Sequence, residues 1–336
     1  MSQGIQHPQS AAIATTSNSA SSIATEQTFT APRTFLRVPN ATSAMGADLA
    51  ILGIPFDLAT SNRPGARFGP GAIREASAQL AELKAYPGGF DPLAQLRAVD
   101  LGDVYLDYGY PQALPGAIEE AARRVIENGA FLIAFGGDHF ISYPLLKAHA
   151  AKFGRLALIQ FDAHTDTWRS PPRDDGAIEL NHGTMFSRAI DEGLIDPARS
   201  VQVGIRTWVD DSLGVSIFDN ERADSLTGAQ FAAAITTSVG QGPAYITIDI
   251  DCLDPAFAPG TGTPVTGGLT PLKLLQTLRG LSDLDVVGFD VVEVAPPYDH
   301  GGITALNAAT IAYQQVCRLA RNRGASQQAY PPPRSA

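Results

Sequence analysis

Residues 155–166 read Arg155-Leu156-Ala157-Leu158-Ile159-Gln160-Phe161-Asp162-Ala163-His164-Thr165-Asp166. Up to Phe161 the stretch is short and mostly apolar, the pattern of a strand buried on both faces, and such strands belong to parallel sheets covered by helices. It then ends on Asp162, His164 and Asp166. If the extended conformation continues, side chains at i, i+2 and i+4 leave on one face. Two carboxylates and an imidazole would then converge where the sheet stops. Such a cluster is costly without a counter-charge, and a divalent metal ion is the simplest one.

Two further segments have the same form. Tyr245-Ile246-Thr247-Ile248-Asp249-Ile250-Asp251 is an apolar strand ending in carboxylates at i and i+2, and Phe131-Leu132-Ile133-Ala134-Phe135-Gly136-Gly137-Asp138-His139 ends in a Gly-Gly turn and a histidine. Taken singly, each has an ordinary reading. An Asp at a strand end caps a helix or forms a turn, and a lone buried His is a satisfied core residue. Together they nominate His139, Asp162, His164, Asp166, Asp249 and Asp251 as ligands. Six ligands exceed one closed tetrahedral zinc site, and none is the thiolate of a structural zinc. Oxygen-rich mixed ligation suits Mn²⁺ or another borderline divalent ion, and four carboxylates can bridge a pair of ions. These ligand types do not separate Mn²⁺ from Ni²⁺ or Co²⁺.

Outward from these stretches, strand and helix patterns alternate. Strands are expected at 48–54, 97–102, 131–135, 155–161, 200–205, 244–250 and 285–293. Helices are expected at 70–85, 112–129, 141–152, 184–192, 226–238, 271–280 and 303–322. Near-continuous apolar strands between amphipathic helices imply an α/β fold with three layers, α/β/α, around a mostly parallel sheet. Ligands in such folds bind beyond the carboxyl ends of the strands, where all three clusters lie.

The chain has 336 residues, 44% hydrophobic and 17% charged, enough for one large α/β domain. The formal charge of −10 argues against nucleic acid as a partner. Only two cysteines occur, Cys252 and Cys317, without a partner motif, which suits a reducing compartment and offers no disulfide framework. Residues 1–32 contain no Lys or Arg and are rich in Ser, Ala, Thr and Gln. They lack the basic start of a signal peptide and the arginines of a transit peptide, so a flexible tail is expected there. A second tail is expected over 324–336, with one domain spanning 33–323. No apolar run reaches the roughly 20 residues that span a bilayer, so no membrane partner is expected and a cytoplasmic location is. Two Pro/Gly-rich loops, residues 255–264 and 62–70, frame the strand ends. Pro70-Gly71 is expected to open a helix, and Arg63 and Arg67 to pair at the surface or between subunits.

Gly136-Gly137-Asp138-His139, Asp162-Ala163-His164-Thr165-Asp166 and the Asp249-Ile250-Asp251-Cys252-Leu253-Asp254-Pro255 segment with its long loop together resemble the ureohydrolases, the arginase and agmatinase family. The resemblance covers residues 33–322. It is nearest to bacterial agmatinases through Asn181-His182-Gly183-Thr184-Met185-Phe186, residues 193–197, Val203-Gly204-Ile205-Arg206 and Asp290-Val291-Val292-Glu293. It implies an arginase-like eight-stranded sheet and a binuclear metal centre with two divalent ions per chain. His139, Asp162, Asp166 and Asp249 would hold one ion; Asp162, His164, Asp249 and Asp251 would hold the other. It implies that a water activated by the ions attacks a guanidinium carbon, with Asp166 orienting the water. His182 would be the proton shuttle and Glu293 the acid that binds guanidinium nitrogens. The products would be urea and an amine, from agmatine urea and putrescine. A homo-oligomer, trimer or hexamer, is implied, and assembly with a paralogue is an alternative.

The segment between Trp168 and His182 is longer and more charged than this resemblance leads one to expect. Lying near the pocket entrance, it offers Asp174, Asp175 or Glu179 to an ammonium tail, as in agmatine. Alternatively, Arg169 or Arg173 could meet a carboxylate, as in 4-guanidinobutyrate. A loop folded over the mouth would suit free guanidine or a bulky substituted guanidine or biguanide. His300, shortly after Glu293, is a candidate rim residue for substrate, whereas His149 sits at helical spacing among apolar residues and reads as structural. Two other classes can be weighed. A two-metal phosphoesterase would need cationic groups around a phosphoryl group, and these motifs supply carboxylates. A non-catalytic subunit would be expected to show damaged ligands, and all six are intact.

Overall fold

Strand β1 (Leu49–Ile54) shows how the layers arise: every residue is buried, and alternate side chains enter different cores. Leu49 and Ile51 pack in one cluster, Ala50, Leu52 and Ile54 in the other. A strand that buries both faces needs helices on both sides. The structure, a computed structural model, describes residues 33–170 and 179–324. The strands are β1, β2 (Ala98–Asp103), β3 (Phe131–Gly136), β4 (Ala157–Phe161), β5 (Val201–Ile205), β6 (Ser216–Asp219), β7 (Ala244–Asp249) and β8 (Val286–Val292). They form one 8-stranded sheet in the order β2-β1-β3-β8-β7-β4-β5-β6. Every strand pairing in it is parallel.

The helices are α1 (Gly69–Ser77), α2 (Leu114–Glu127), α3 (Ser142–Phe153), α4 (Met185–Asp191), α5 (Asn220–Ser225), α6 (Gly228–Val239), α7 (Pro271–Gly280) and α8 (Ile303–Asn322). Ile73 of α1, Phe231 and Ile235 of α6, Leu274 and Leu278 of α7 and the alanines of α8 fill one core. Ile118 and Ala122 of α2, Leu145 and Leu146 of α3 and Met185 and Phe186 of α4 fill the other. The fold is therefore the three-layer α/β/α architecture with an eight-stranded parallel sheet.

Three local expectations are corrected. Strand β6 has no counterpart among the seven sequence segments, because Ser216–Asp219 is four residues long and only Phe218 is buried. The helix expected over 70–85 stops at Ser77 and is followed by one 3₁₀ turn, Ala78–Leu80. Ser77 Oγ donates to Arg74 O at 2.7 Å and accepts from Leu36 N at 2.8 Å, a local bond that competes with the helical ladder. Third, apart from Asp249, which ends β7, the candidate ligands do not lie along continuous strands. Strand β4 ends at Phe161 and β7 at Asp249, and Asp251 sits in a 3₁₀ turn, Ile250–Cys252. Beyond the strand ends, tight turns rather than strand alternation aim these side chains.

What places the site is the strand order. Strands β3, β8, β7 and β4 are consecutive neighbours in the sheet. Their carboxyl ends carry His139, Glu293, Asp249 and Asp162, which thus emerge side by side.

Candidate metal centre

Two of the candidate ligands, Asp162 and Asp249, are aimed by a backbone bond close in sequence. His164 N donates to Asp162 Oδ1 at 2.7 Å, and Asp251 N donates to Asp249 Oδ1 at 2.8 Å. Both are Asx-type turns, in which an Asp side chain accepts from the amide two residues on. Ala163 N donates to Asp251 Oδ1 at 3.0 Å, which ties the end of β4 to the end of β7. On the other side of Asp162, Gln160 Nε2 donates to Oδ2 at 2.7 Å, and Gln202 Nε2 holds Gln160 Oε1 at 2.8 Å. Asp166 and Glu293 adopt φ of 52° and 61°. Non-glycine residues pay about 1–2 kcal/mol for this left-handed backbone, and such strain concentrates at functional sites.

The side chains gather into two groups whose candidate ligand atoms lie within 4.8 Å of one another: His139, Asp162 and Asp249, and Asp162, His164 and Asp251. Asp162 belongs to both. Asp166 joins the first through an oxygen 2.9 Å from His139 Nδ1, while Asp162 and Asp249 oxygens lie 3.0 and 3.4 Å from the same nitrogen. His164 Nδ1 is 3.1 Å from Asp251 Oδ2 and 3.5 Å from Asp162 Oδ1.

The protonation of His139 tests whether a cation fits. Thr247 Oγ1 donates to Asp290 Oδ1 at 2.5 Å, so it accepts from His139 Nε2 at 2.8 Å. The ring proton is thereby placed on Nε2, and Nδ1 faces three carboxylates with a lone pair. That nitrogen is buried and makes no hydrogen bond of acceptable geometry despite its short contacts. A lone pair facing carboxylates at this range is repulsive, and a positive charge between them removes the conflict. The ionisation behaviour says the same thing. Burial alone would depress His139, yet Asp162, Asp166 and Asp249 outweigh it and drive its affinity for a proton well up. Burial likewise depresses His164, and Asp162 and Asp251 reverse this, pushing it up to about 12. Burial and the neighbouring Asp251 and Asp162 charges push Asp249 well above the ordinary carboxylate range. The pocket demands cations, and the donor set of imidazoles and carboxylates suits divalent ions.

Glu293 stands beside this centre. Its N–H donates to Gly137 O at 2.8 Å, and its Oε1 accepts from His139 N and from His182 Nδ1, both at 2.8 Å. Its Oε2 is buried without a partner. Glycine 262 lies beside that oxygen: a β-carbon placed there would come within 3.4 Å of it. His182 is buried beside Glu293, and its Nε2 meets Ser61 Oγ at 2.8 Å. Burial lowers its basicity, but the bond to Glu293 and the charges of Glu293, Asp166 and Asp138 more than compensate, pushing it up to about 9.

The structure thus brings His139, Asp162, His164, Asp166, Asp249, Asp251, His182 and Glu293 together. His300 is exposed on the turn 300–302 that leads into α8, and among the described residues no hydrogen bond or ion pair ties it to the centre. Asp174, Asp175 and Arg173 lie outside the described residues. Arg169 pairs with both carboxylate oxygens of Asp191, at 2.7 and 3.0 Å. Arg67 is paired with Asp57, and Arg63 lies 5.3 Å from the centre of the Tyr298 ring. Sequence reasoning passed over Ser61, Thr247 and Asp290. Thr247 was visible in principle, two residues before Asp249 on the same strand, and Asp290 as a charge inside an apolar strand. Ser61 had no local signal.

The chain matches the arginase family over residues 47–317. An agmatinase from Chromobacterium violaceum is 51% identical over 299 residues, 89% of this chain and 91% of that protein. The crystal structure of a hypothetical agmatinase from Burkholderia thailandensis superposes with a TM-score of 0.86 at 48% identity, covering 88% of this chain and 92% of the other. A proclavaminate amidino hydrolase from Streptomyces clavuligerus gives 0.80 at 39% identity, covering 87% and 99%. A family match across most of the chain, with such identity carried on the same fold, permits one conclusion: the chain belongs to the arginase family.

Proposed function

We propose that this chain hydrolyses agmatine to putrescine and urea, using two divalent ions, Mn²⁺ first among them. The observation that carries the reading is Glu293 Oε2, a buried carboxylate oxygen with no partner, beside a centre that demands cations. A guanidinium group offers planar N–H donors with a positive charge, the complement of such an oxygen. The relatives support agmatine in particular, since the Chromobacterium violaceum protein is named for it.

His139, Asp162, Asp166 and Asp249 would hold one ion, and Asp162, His164, Asp249 and Asp251 the other. The place of Asp162 in both ligand groups supports its bridging role. When bound, such a pair of ions supplies the Lewis acidity that makes a water nucleophilic near neutral pH. Asp166 accepts a hydrogen bond from that water and orients it toward the guanidinium carbon, which Glu293 holds through the substrate's N–H groups. His182, anchored on Glu293 Oε1, donates a proton to the departing nitrogen, which leaves as an amine. The reaction as a whole consumes no proton, because the guanidinium cation and water become urea and an ammonium ion. Arg169 pairs with Asp191, which favours an ammonium-tailed substrate over 4-guanidinobutyrate.

Urea release from the Mn²⁺-loaded protein tests the reading, with agmatine, 4-guanidinobutyrate, guanidine and substituted biguanides compared. Agmatine is expected to give the highest kcat/KM. Greater activity on another member would move the substrate, and no urea from any of them with Mn²⁺ or Ni²⁺ would refute the reading.

A further inference from the structure

Ser61 meets His182 twice. Its hydroxyl oxygen lies 2.8 Å from Nε2, and its backbone nitrogen donates to the same atom at 3.2 Å. A backbone N–H can only donate, so Nε2 presents a lone pair here and the ring proton sits on Nδ1, directed at Glu293 Oε1. The carboxylates around the ring favour a second proton on it, whereas the Ser61 amide opposes one on Nε2. The Ser61 hydroxyl relieves this conflict. It donates to Nε2 when the ring is neutral and can turn to accept from Nε2–H when the ring is charged.

The serine is held in place to do so. His182 N donates to Ala59 O at 3.3 Å, and Ala59 N donates to Asp138 Oδ2 at 2.7 Å. Asn62 Nδ2 donates to Gly262 O at 2.9 Å, across to the loop that flanks Glu293. The ring of His182 is buried while Ser61 is exposed. Glu293, His182 and Ser61 therefore form a hydrogen-bonded line from the pocket floor to solvent.

We propose that Ser61 is the positioning residue of the proton donor: its hydroxyl fixes the imidazole of His182 and is the route by which Nε2 exchanges protons with solvent. This rests on the functional reading above. In the step concerned, the Oγ–H bond breaks as Nε2–H forms and Oγ takes a proton from water. The Nδ1–H bond then breaks as its proton passes, by way of the Glu293 Oε1 that it faces, to the departing nitrogen. Of the attacking water's two protons, one returns to Nδ1 by the same route and the other goes to the departing nitrogen, which leaves as ammonium; the Nε2 proton returns to solvent through Oγ, so none is consumed overall.

The test compares wild type, Ser61→Ala and Ser61→Thr as full chains in two measurements. In the Mn²⁺-loaded enzymes, Ser61→Ala should lower kcat for urea release roughly 10- to 100-fold with KM within about twofold, and Ser61→Thr should restore it. In the Zn²⁺-loaded, ¹⁵N-histidine-labelled proteins, wild type and Ser61→Thr should show Nδ1–H and a hydrogen-bonded Nε2 for His182. In Ser61→Ala the Nε2 resonance should move toward that of an unbonded ring nitrogen. Unchanged His182 resonances in Ser61→Ala, an unchanged kcat, or a threonine variant as impaired as the alanine would each overturn the proposal. If wild type releases no urea while the resonances behave as expected, the functional reading fails and the assignment of Ser61 as the clamp on His182 stands.

Discussion

At the scale of single residues, the centre is a set of charges that tolerate one another only with cations between them. Asp162 carries the most, because it belongs to both ligand groups. Asp162→Asn and Asp249→Asn should lose metal together with activity. Bound metal should fall below about one ion per chain, and activity by more than roughly 100-fold, the range that even outer partners of a metal reach. Glu293→Gln should keep its metal and raise KM instead. Elemental analysis beside urea kinetics separates these outcomes, and full metal content in Asp162→Asn would reject the bridge. His149 is a residue of another kind. Its Nδ1 bonds Leu145 O at 2.7 Å, its Nε2 is buried without a partner, and burial pushes it down to about 4. A folded-state value below the ordinary 6.5 means that its contribution is intact above pH 6.5 and is lost as pH falls toward 4. The full loss is on the order of 3 kcal/mol. Chemical denaturation across this range should show a shallower pH dependence for His149→Leu than for wild type; equal slopes would contradict it.

At the scale of elements, strands place the ligands and turns aim them. Alternation along β7 puts Tyr245, Thr247 and Asp249 on one side, and β8 supplies Asp290 to accept from the Tyr245 and Thr247 hydroxyls at 2.8 and 2.5 Å. This buried network sets the tautomer of His139. Thr247→Val removes the acceptor of the Nε2 proton with little change in volume. Metal affinity should drop roughly 10- to 100-fold while the far-ultraviolet circular dichroism stays that of wild type, and a metal titration would show it. The turn after β3 is as demanding: a β-carbon on Gly137 would lie 1.7 Å from Phe56 O, so only glycine fits between the ligand turn and the loop after β1. The strands carrying ligands were legible in the sequence because burial on both faces leaves a continuous apolar run. Strand β6 was not, since at four residues with one buried side chain it has neither length nor period. Helix α1 ends at Ser77, short of the apolar pattern, and the bond from Ser77 to Arg74 O that competes with the helix there leaves no trace in hydropathy.

At the scale of the whole molecule, one sheet order brings β3, β8, β7 and β4 together, and with them the four buried candidate ligand carboxylates, Asp162, Asp166, Asp249 and Asp251. Removing the metal leaves those charges to the two histidines. Breaking buried ion pairs costs about 3–5 kcal/mol, so chelation at neutral pH should lower Tm by roughly 10 °C and readdition of Mn²⁺ should restore it. An unchanged Tm in differential scanning calorimetry would mean that ions do not hold this centre together. No helix among the described residues is long and apolar enough to cross a membrane.

The sequence by itself determined the layers of the fold, the six side chains proposed as ligands, and through family resemblance the chemistry they would serve. Those follow from local facts: apolar runs, residue types and spacing. Only the tertiary structure decided that Asp162 belongs to both groups, that Thr247 and Asp290 orient His139, and that Ser61 reaches His182. Ser61 and His182 are 121 positions apart, and His182 and Glu293 are 111 apart. A hydrogen bond depends on distance and angle in space, and the chain order carries neither until the strands have paired.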